Sequence, residues 1–248
     1  MERINEIAQC IAEVRTRITE AAQVAGRDPG KVTLVAVTKT HPARLVAAAF
    51  AAGVRDVGEN RLQEAEEKSG LLAAERGRLR WHLIGPLQRN KARKAAALFD
   101  MVHSVDSLSL AEALNRHVEA DSLVGLHRLP VLLQISLAGE PQKAGFVLHN
   151  GQQDQANFPT FLREVEAIID LRHLDLQGLM TVPPFDPDPE ASRRYFAQLR
   201  DLRDDLARRY PHINWQHLSM GMSGDFPVAV EEGATLVRVG SAIFGARG

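Results

Sequence analysis

The sequence predicts an α/β fold, a single (β/α)8 barrel with one additional helix at its N-terminus, spanning residues 1–248 as one domain. Three observations carry that expectation. Eight short β-rich runs alternate with helix-period segments from residue 32 to residue 239, as right-handed βαβ units around a closed parallel sheet require. A long amphipathic helix precedes the first run and pairs with no strand. No G-x-G-x-x-G follows that first run, which argues against the alternative, a doubly wound open sheet. No linker divides the chain.

Taken in order, Ile4, Ile7, Ile11, Val14, Ile18 and Ala21 recur at helical spacing and mark one face of a helix over about residues 2–25. Gly26, Asp28, Pro29 and Gly30 stop it. Strands are expected at 32–37, 54–57, 80–84, 101–104, 130–136, 175–179, 215–218 and 236–239. Helices are expected at 42–52, 60–76, 89–99, 107–119, 158–170, 190–209 and 226–232. Two loops rich in breakers, 139–158 and 181–189, each follow a strand and so lie on the face where barrel active sites form. In the second, Asp188-Pro189 supplies an N-cap and a first-turn proline for the next helix.

Composition narrows the function classes. A net charge of −1 provides no field for nucleic acid or an anionic membrane. The start, MERINEIAQ, puts charges where a signal peptide needs an apolar run, and no apolar run reaches the roughly 18 residues of a membrane span. The single cysteine, Cys10, excludes an internal disulfide and reads as a small apolar filler of the first helix. A soluble protein of the reducing cytoplasm is expected. A monomer is expected too, since no large apolar surface stripe is evident.

The stretch VTLVAVTKTHP, residues 32–42, raises the question of function. It reads as a buried strand, yet runs into a lysine. Of the six lysines only Lys39 terminates an apolar strand. One reading is a snorkelling side chain paired with Glu59. The other is a nucleophilic amine, its pKa depressed by partial burial and by a nearby Arg238, able to form a Schiff base with an aldehyde.

The residues past the other strand ends favour the second. Asn60, His82, Gly85, Ser104 to Asp106, Gln134 to Ser136, and Met180 would converge with Lys39 on one mouth. The last two strands end in LSMGMSGD and RVGSAIFG, whose small residues, hydroxyls and free backbone N–H groups suit a phosphate. An amine facing a phosphate site suggests pyridoxal 5′-phosphate or a phosphosugar carbonyl. His82, His103 and His217 lie near strand ends, but no H-x-H and no carboxylate cluster accompanies them, so no metal is expected. RNKARK, 89–94, reads as a solvated helix face, and Trp81 and Trp215 as packing residues.

These segments together resemble a known family. LVAVTKTHP, DVGENRLQEAEEK, RWHLIGPLQRNK, HSVDS, GEPQKAGF, GLMTVPP, LSMGMSGDF and VRVGSAIFGAR are similar, in order and spacing, to the pyridoxal phosphate homeostasis (YggS-like) proteins, related in fold to the barrel domain of alanine racemase. The resemblance implies that Lys39 forms the Schiff base and that Asn60 lies beside the cofactor ring. It implies that Ser219, Gly240 and Ser241, with Ser223, hold the phosphate, and that Arg238 faces the pyridine nitrogen. Segment 147–157, Gly224 and Pro227 depart from the family's usual pattern and concern the rim.

The expected function is therefore binding of pyridoxal phosphate for intracellular homeostasis, without turnover, with pyridoxal-phosphate-dependent apo-enzymes as possible recipients. The alternative is an amino-acid racemase or a related enzyme, and a Schiff-base aldolase is a third reading. Racemisation needs two positioned bases. In alanine racemase the second is a tyrosine brought by an additional domain, whereas this chain ends at Gly248 and its two tyrosines, Tyr195 and Tyr210, fall in one outer helix pattern. A cation at the ring nitrogen would also weaken the ring as an electron sink.

Overall fold

A computed structural model describes residues 2–121, 128–138 and 144–245. Its strands are β1 (Thr33–Val37), β2 (Asp56–Glu59), β3 (Arg80–Leu83), β4 (Met101–Val105), β5 (Leu129–Ser136), β6 (Phe146–Val147), β7 (Leu174–Met180), β8 (His217–Ser219) and β9 (Leu236–Val239). Every pairing is parallel. β1 to β5 follow in order, β5 joins β7, then β8 and β9, and β9 pairs back to β1. That ring of eight is the expected barrel. β6 is an unexpected two-residue strand, added on β5 through Ile135 and Phe146.

The helices are α1 (Glu2–Val24), α2 (Ala43–Ala51), α3 (Leu62–Leu71), α4 (Ala92–Leu98), α5 (Leu108–Asp121), α6 (Phe158–Ile169), α7 (Arg193–Arg209), α8 (Phe226–Glu231) and α9 (Ser241–Phe244). Boundaries moved where turn chemistry outweighs periodicity. Val54 belongs to the turn after α2, because Gly53 takes a φ of +88° and the Val54 N–H closes on the Ala49 carbonyl. The strand expected at 54–57 therefore starts at Asp56. The expected helix 60–76 stops at Leu71, and a separate 3-10 turn covers Arg76–Arg78.

Side-chain alternation along the strands creates two layers of apolar packing. Ala36, Leu133 and Val237 join the main core that underlies the helices, whereas Val35, Leu132, Met180 and Leu236 gather in a second, smaller cluster. Helix α1 packs on α2, α8 and α9, with Ile7, Ile11, Val14, Ile18 and Ala21 buried as expected. Ile4 is the exception at 50% exposed: the stripe extends one turn past the surface it covers. Arg3 and Arg27 tie α1 and its end to carbonyls of Phe244, Val230 and Ala234. Trp81 and Trp215 are buried, as packing residues should be. No described helix is long and apolar enough to cross a membrane.

Candidate functional site

A cavity of about 800 Å³ opens at the C-terminal ends of the strands. Lys39, Asn60, Ser223, Arg238, Gly240 and Ser241 all line it. Ser219, the remaining expected site residue, does not; it is wholly buried beneath Arg238.

Lys39 sits in the turn just past β1, half-buried. The turn is pinned on both sides. The Thr38 N–H donates to Gly58 at 3.0 Å, and the His41 N–H donates to the Thr38 carbonyl at 3.1 Å. Thr40 is held at a φ of +67°, where β-branched residues rarely sit, and its N–H donates to the Glu64 carboxylate at 2.8 Å. Asn60, the residue after β2, lies against Gly85, and a Cβ at Gly85 would lie 2.5 Å from the Asn60 carbonyl oxygen. Only glycine lets the ends of β2 and β3 approach so closely.

The two glycine-rich turns meet through the Ser223 hydroxyl, which accepts the N–H groups of Gly240 and Ala242 at 3.2 and 3.3 Å. Two backbone donors aimed at one oxygen form a small nest. Gly221 takes a φ of +88° and packs so tightly that a Cβ would lie 2.5 Å from the Ala229 methyl. The Arg238 N–H donates to the Gly221 carbonyl at 3.0 Å and locks the turns together.

Arg238 lies in the wall, 4% exposed. Its Nη1 donates to Ser219 Oγ at 2.5 Å and its Nη2 to the Thr181 carbonyl at 2.8 Å. Burial pulls its pKa down to about 10, so it remains charged at neutral pH. Behind it, Ser219 Oγ meets His103, and His103 meets His82, which meets Asp56. Complete burial, with His82, Arg238 and His217 nearby, holds the His103 imidazole well below its usual range, hence neutral. His82 and His103 thus bond to each other, whereas His217 turns away, its Nδ1 meeting the Thr235 hydroxyl at 3.2 Å.

These features can be set beside known proteins. The family model for the alanine racemase N-terminal domain matches residues 10–248. The pyridoxal phosphate homeostasis protein of Pseudomonas aeruginosa is 45% identical over 244 residues, covering 98% of this chain and 97% of that one. Its Escherichia coli K12 counterpart is 41% identical over 252 residues, covering 98% of each.

The chain belongs to the pyridoxal phosphate homeostasis protein family.

Among solved structures of similar proteins, PipY of Synechococcus elongatus with pyridoxal phosphate bound superposes with a TM-score of 0.80 at 38% identity, covering 96% of this chain and 100% of PipY. Alanine racemase of Clostridium difficile matches at 0.69 with 14% identity, over 98% of this chain and 57% of the racemase, and shares the fold alone.

Within this homeostasis-family barrel, the alternative partner for Lys39 is engaged elsewhere. Glu59 accepts from Lys68 Nζ at 2.7 Å and from the Thr38 hydroxyl at 2.5 Å. Burial pushes the Glu59 carboxyl above its usual range, against the pull of Lys68. Lys68 also donates to the Thr38 carbonyl, one residue before Lys39. Sequence reading missed Lys68. Its only signal was the i,i+4 spacing from Glu64, which marks exposed helix pairs equally well.

Ser136 was placed at the mouth without a role. It is 6% exposed, lines the cavity, and its hydroxyl has no partner among the described residues. The 181–189 loop contributes Val182, Pro184, Phe185 and Asp186 to the cavity wall. The 139–158 loop contributes Ala144, while its residues 139–143, including Lys143, lie outside the described residues. Neither Tyr195 nor Tyr210 lines the cavity, and the Tyr210 hydroxyl donates to Glu166.

Proposed function

We propose that this chain, read as one domain over residues 1–248, binds pyridoxal 5′-phosphate in the barrel mouth and serves its homeostasis without turning over a substrate. One observation carries the reading: an amine, a buried cation and a backbone N–H nest line the same cavity. Lys39 meets the cofactor's aldehyde, Arg238 faces the ring nitrogen, Asn60 flanks the ring, and Ser223, Gly240 and Ser241 hold the phosphate. Ser219 acts through Arg238. The unpartnered Ser136 hydroxyl supports the fit, because a buried polar group calls for a ligand to satisfy it. The name and bound ligand of the similar proteins point the same way.

When bound, the cofactor supplies an aldehyde and a conjugated ring. Asn60, Arg238 and the two turns would fix its orientation with the aldehyde toward the Lys39 amine. A second base opposite Lys39 is what racemisation would require, and neither tyrosine reaches the cavity. Arg238, charged at neutral pH, keeps a ring nitrogen beside it unprotonated. The single cysteine is consistent with a reducing cytoplasm, the lack of a large apolar surface stripe in the sequence supports a monomer, and apo-enzymes that depend on the cofactor are its proposed recipients.

The test is an absorbance spectrum of the purified protein with added pyridoxal phosphate, then borohydride reduction and peptide mapping. A visible band, lost in Lys39→Ala, and reduction at Lys39 are expected. Labelling solely at Lys91 or Lys143 would overturn the assignment. Incubation with L-amino acids in deuterium oxide separates this reading from a racemase. Proton exchange near one per second, an ordinary enzyme rate, that vanished in Lys39→Ala would sink the non-catalytic one.

A further inference from the structure

A line of hydrogen bonds runs from the cavity wall to the opposite end of the barrel. It starts at Arg238 and passes Ser219, the last residue of β8, then His103 on β4 and His82 on β3. It ends at Asp56, the first residue of β2, where Arg80 closes it at 2.7 Å. The links between Ser219 and Asp56 measure 2.8, 2.9 and 2.9 Å. Each residue from Asp56 to Arg238 is buried.

The two ends dictate the direction of every link. Arg238 only donates and an ionised Asp56 only accepts. Ser219 Oγ therefore accepts from Arg238 and passes its own proton to His103 Nδ1. His103 then carries its proton on Nε2 and donates to His82 Nδ1. His82 carries its proton on Nε2 and donates to Asp56. The reverse direction would put protons on both His82 nitrogens, because Nδ1 would donate to His103 while Nε2 still faces the Asp56 carboxylate. That imidazolium would share the Asp56 carboxylate with Arg80, which already pairs with it at 2.7 Å, and so would leave one buried positive charge in excess. Four residues thus share one arrangement of protons.

We infer that Ser219, His103, His82 and Asp56 are positioning residues for Arg238. They make Ser219 an acceptor, hold the guanidinium by Nη1, and leave its unused N–H groups for a ligand in the cavity. This deepens the proposed cofactor site and rests on the reading that the cofactor ring lies against Arg238. Without an acceptor at His103 Nδ1, the Ser219 proton competes for the position that Arg238 uses, and the guanidinium loses its fixed seat.

Two measurements test the relay separately from the site. Two-bond proton–nitrogen correlation spectra of the ligand-free protein read the tautomers directly. His103 should carry its proton on Nε2, and His82 should leave Nδ1 unprotonated. A proton on His103 Nδ1 would overturn the inference whether or not the protein binds pyridoxal phosphate.

The second measurement titrates pyridoxal phosphate into variants. His103→Leu removes the acceptor, whereas His103→Asn can restore a carbonyl oxygen where Nδ1 lies. His103→Leu should bind about tenfold more weakly, as expected for a stranded buried hydroxyl, and its visible band should move toward that of Arg238→Leu. His103→Asn should recover both. The double variant His103→Leu/Arg238→Leu should bind no more weakly than Arg238→Leu alone. Wild-type affinity and spectrum in His103→Leu, or losses that simply add, would overturn the inference. If circular dichroism shows that His103→Leu fails to fold, Ser219→Ala removes the same acceptor of Arg238 and carries the same expectations. If the wild-type protein shows no band at all, the cofactor reading fails and the tautomer spectra alone decide the relay.

Discussion

Two buried cations stand on opposite sides of the sheet and are treated in opposite ways. Lys68, 6% exposed on α3, meets the Glu59 carboxylate and the Thr38 carbonyl at 2.7 Å, with Glu64 at 3.5 Å. Arg238, inside the barrel, has a hydroxyl and a carbonyl, both neutral. Lys68 is compensated within the protein and serves the fold. Arg238 is left short of negative charge, and burial lowers its pKa because nothing nearby fully offsets it. The Asp225 carboxylate pulls the other way and offsets that burial only in part, so the cation is kept charged in the cavity wall with no carboxylate among its hydrogen-bond partners there.

The sharpest way to break this contrast is Lys68→Met. It strands a buried carboxylate, and removal of one member of a buried pair costs about 3–5 kcal/mol. Urea unfolding should show that loss. The penalty should also depend on pH. Burial already raises the Glu59 carboxyl above its usual 4.5, and loss of Lys68 raises it further. The folded state then holds a proton that the unfolded state releases. Stability from that proton is complete below pH 4.5 and disappears as pH rises through the raised folded value. The Lys68→Met deficit should therefore be larger at pH 8 than at pH 5, and equal deficits would contradict the burial argument.

Arg238→Leu should show the converse. Stranding the Ser219 and Thr181 acceptors costs stability by about 1–3 kcal/mol, less than at Lys68. Pyridoxal phosphate affinity, read by absorbance titration, should fall about ten- to a hundredfold, the scale of a lost charge-assisted hydrogen bond. A drop in stability matching that of Lys68→Met, with unchanged affinity, would erase the distinction between the two cations. Ser241→Pro comes next. Proline is tolerated at the first position of a helix, so α9 should form while the Ser241 N–H, which lies between the two nest donors, is lost. Affinity for pyridoxal phosphate should drop about tenfold, and affinity for unphosphorylated pyridoxal should hardly change. The smallest effect is expected at Phe185, 92% exposed on the cavity rim. Phe185→Ser should leave stability within about 0.5 kcal/mol of the parent, measured by the same unfolding curves.

The barrel was legible because its information is local. Alternating apolar runs and helical stripes report their own burial, and all eight expected strands form within two residues of their expected limits. The glycine-rich turns within 218–225 and 238–245 were legible as turns for a similar reason, since glycines such as Gly221 and Gly245 at positive φ report backbone geometry. What could not be read was the crossing of side chains between elements. Sequence reading grouped Ser219 with Ser223, yet strand alternation turns Ser219 into the barrel under Arg238 while Ser223 lies in the turn beyond. Nothing local distinguishes Lys68 from a solvated helix lysine, because its carboxylate partner sits on β2 and its carbonyl partner beyond β1. His82 and His103, two of the three histidines that a strand-end inventory offers as metal ligands, bond to each other because β3 and β4 are neighbours in the sheet.

The clasp between α1 and the far end of the chain has a consequence for biosynthesis. Helix α1, made before the barrel strands, is tied by Arg3 to a carbonyl 241 residues later, and Arg27, just past its end, reaches one 203 residues later. Strand β1 likewise waits for β9 to complete the ring. At typical synthesis rates, about 10–40 s separate the appearance of α1 from that of α8 and α9. Through that interval the stripe from Ile7 to Ala21 lacks the surface that later buries much of it. The contacts that seal the finished barrel are thus among the last to form, and until then α1 stays exposed to chaperones and to misassociation.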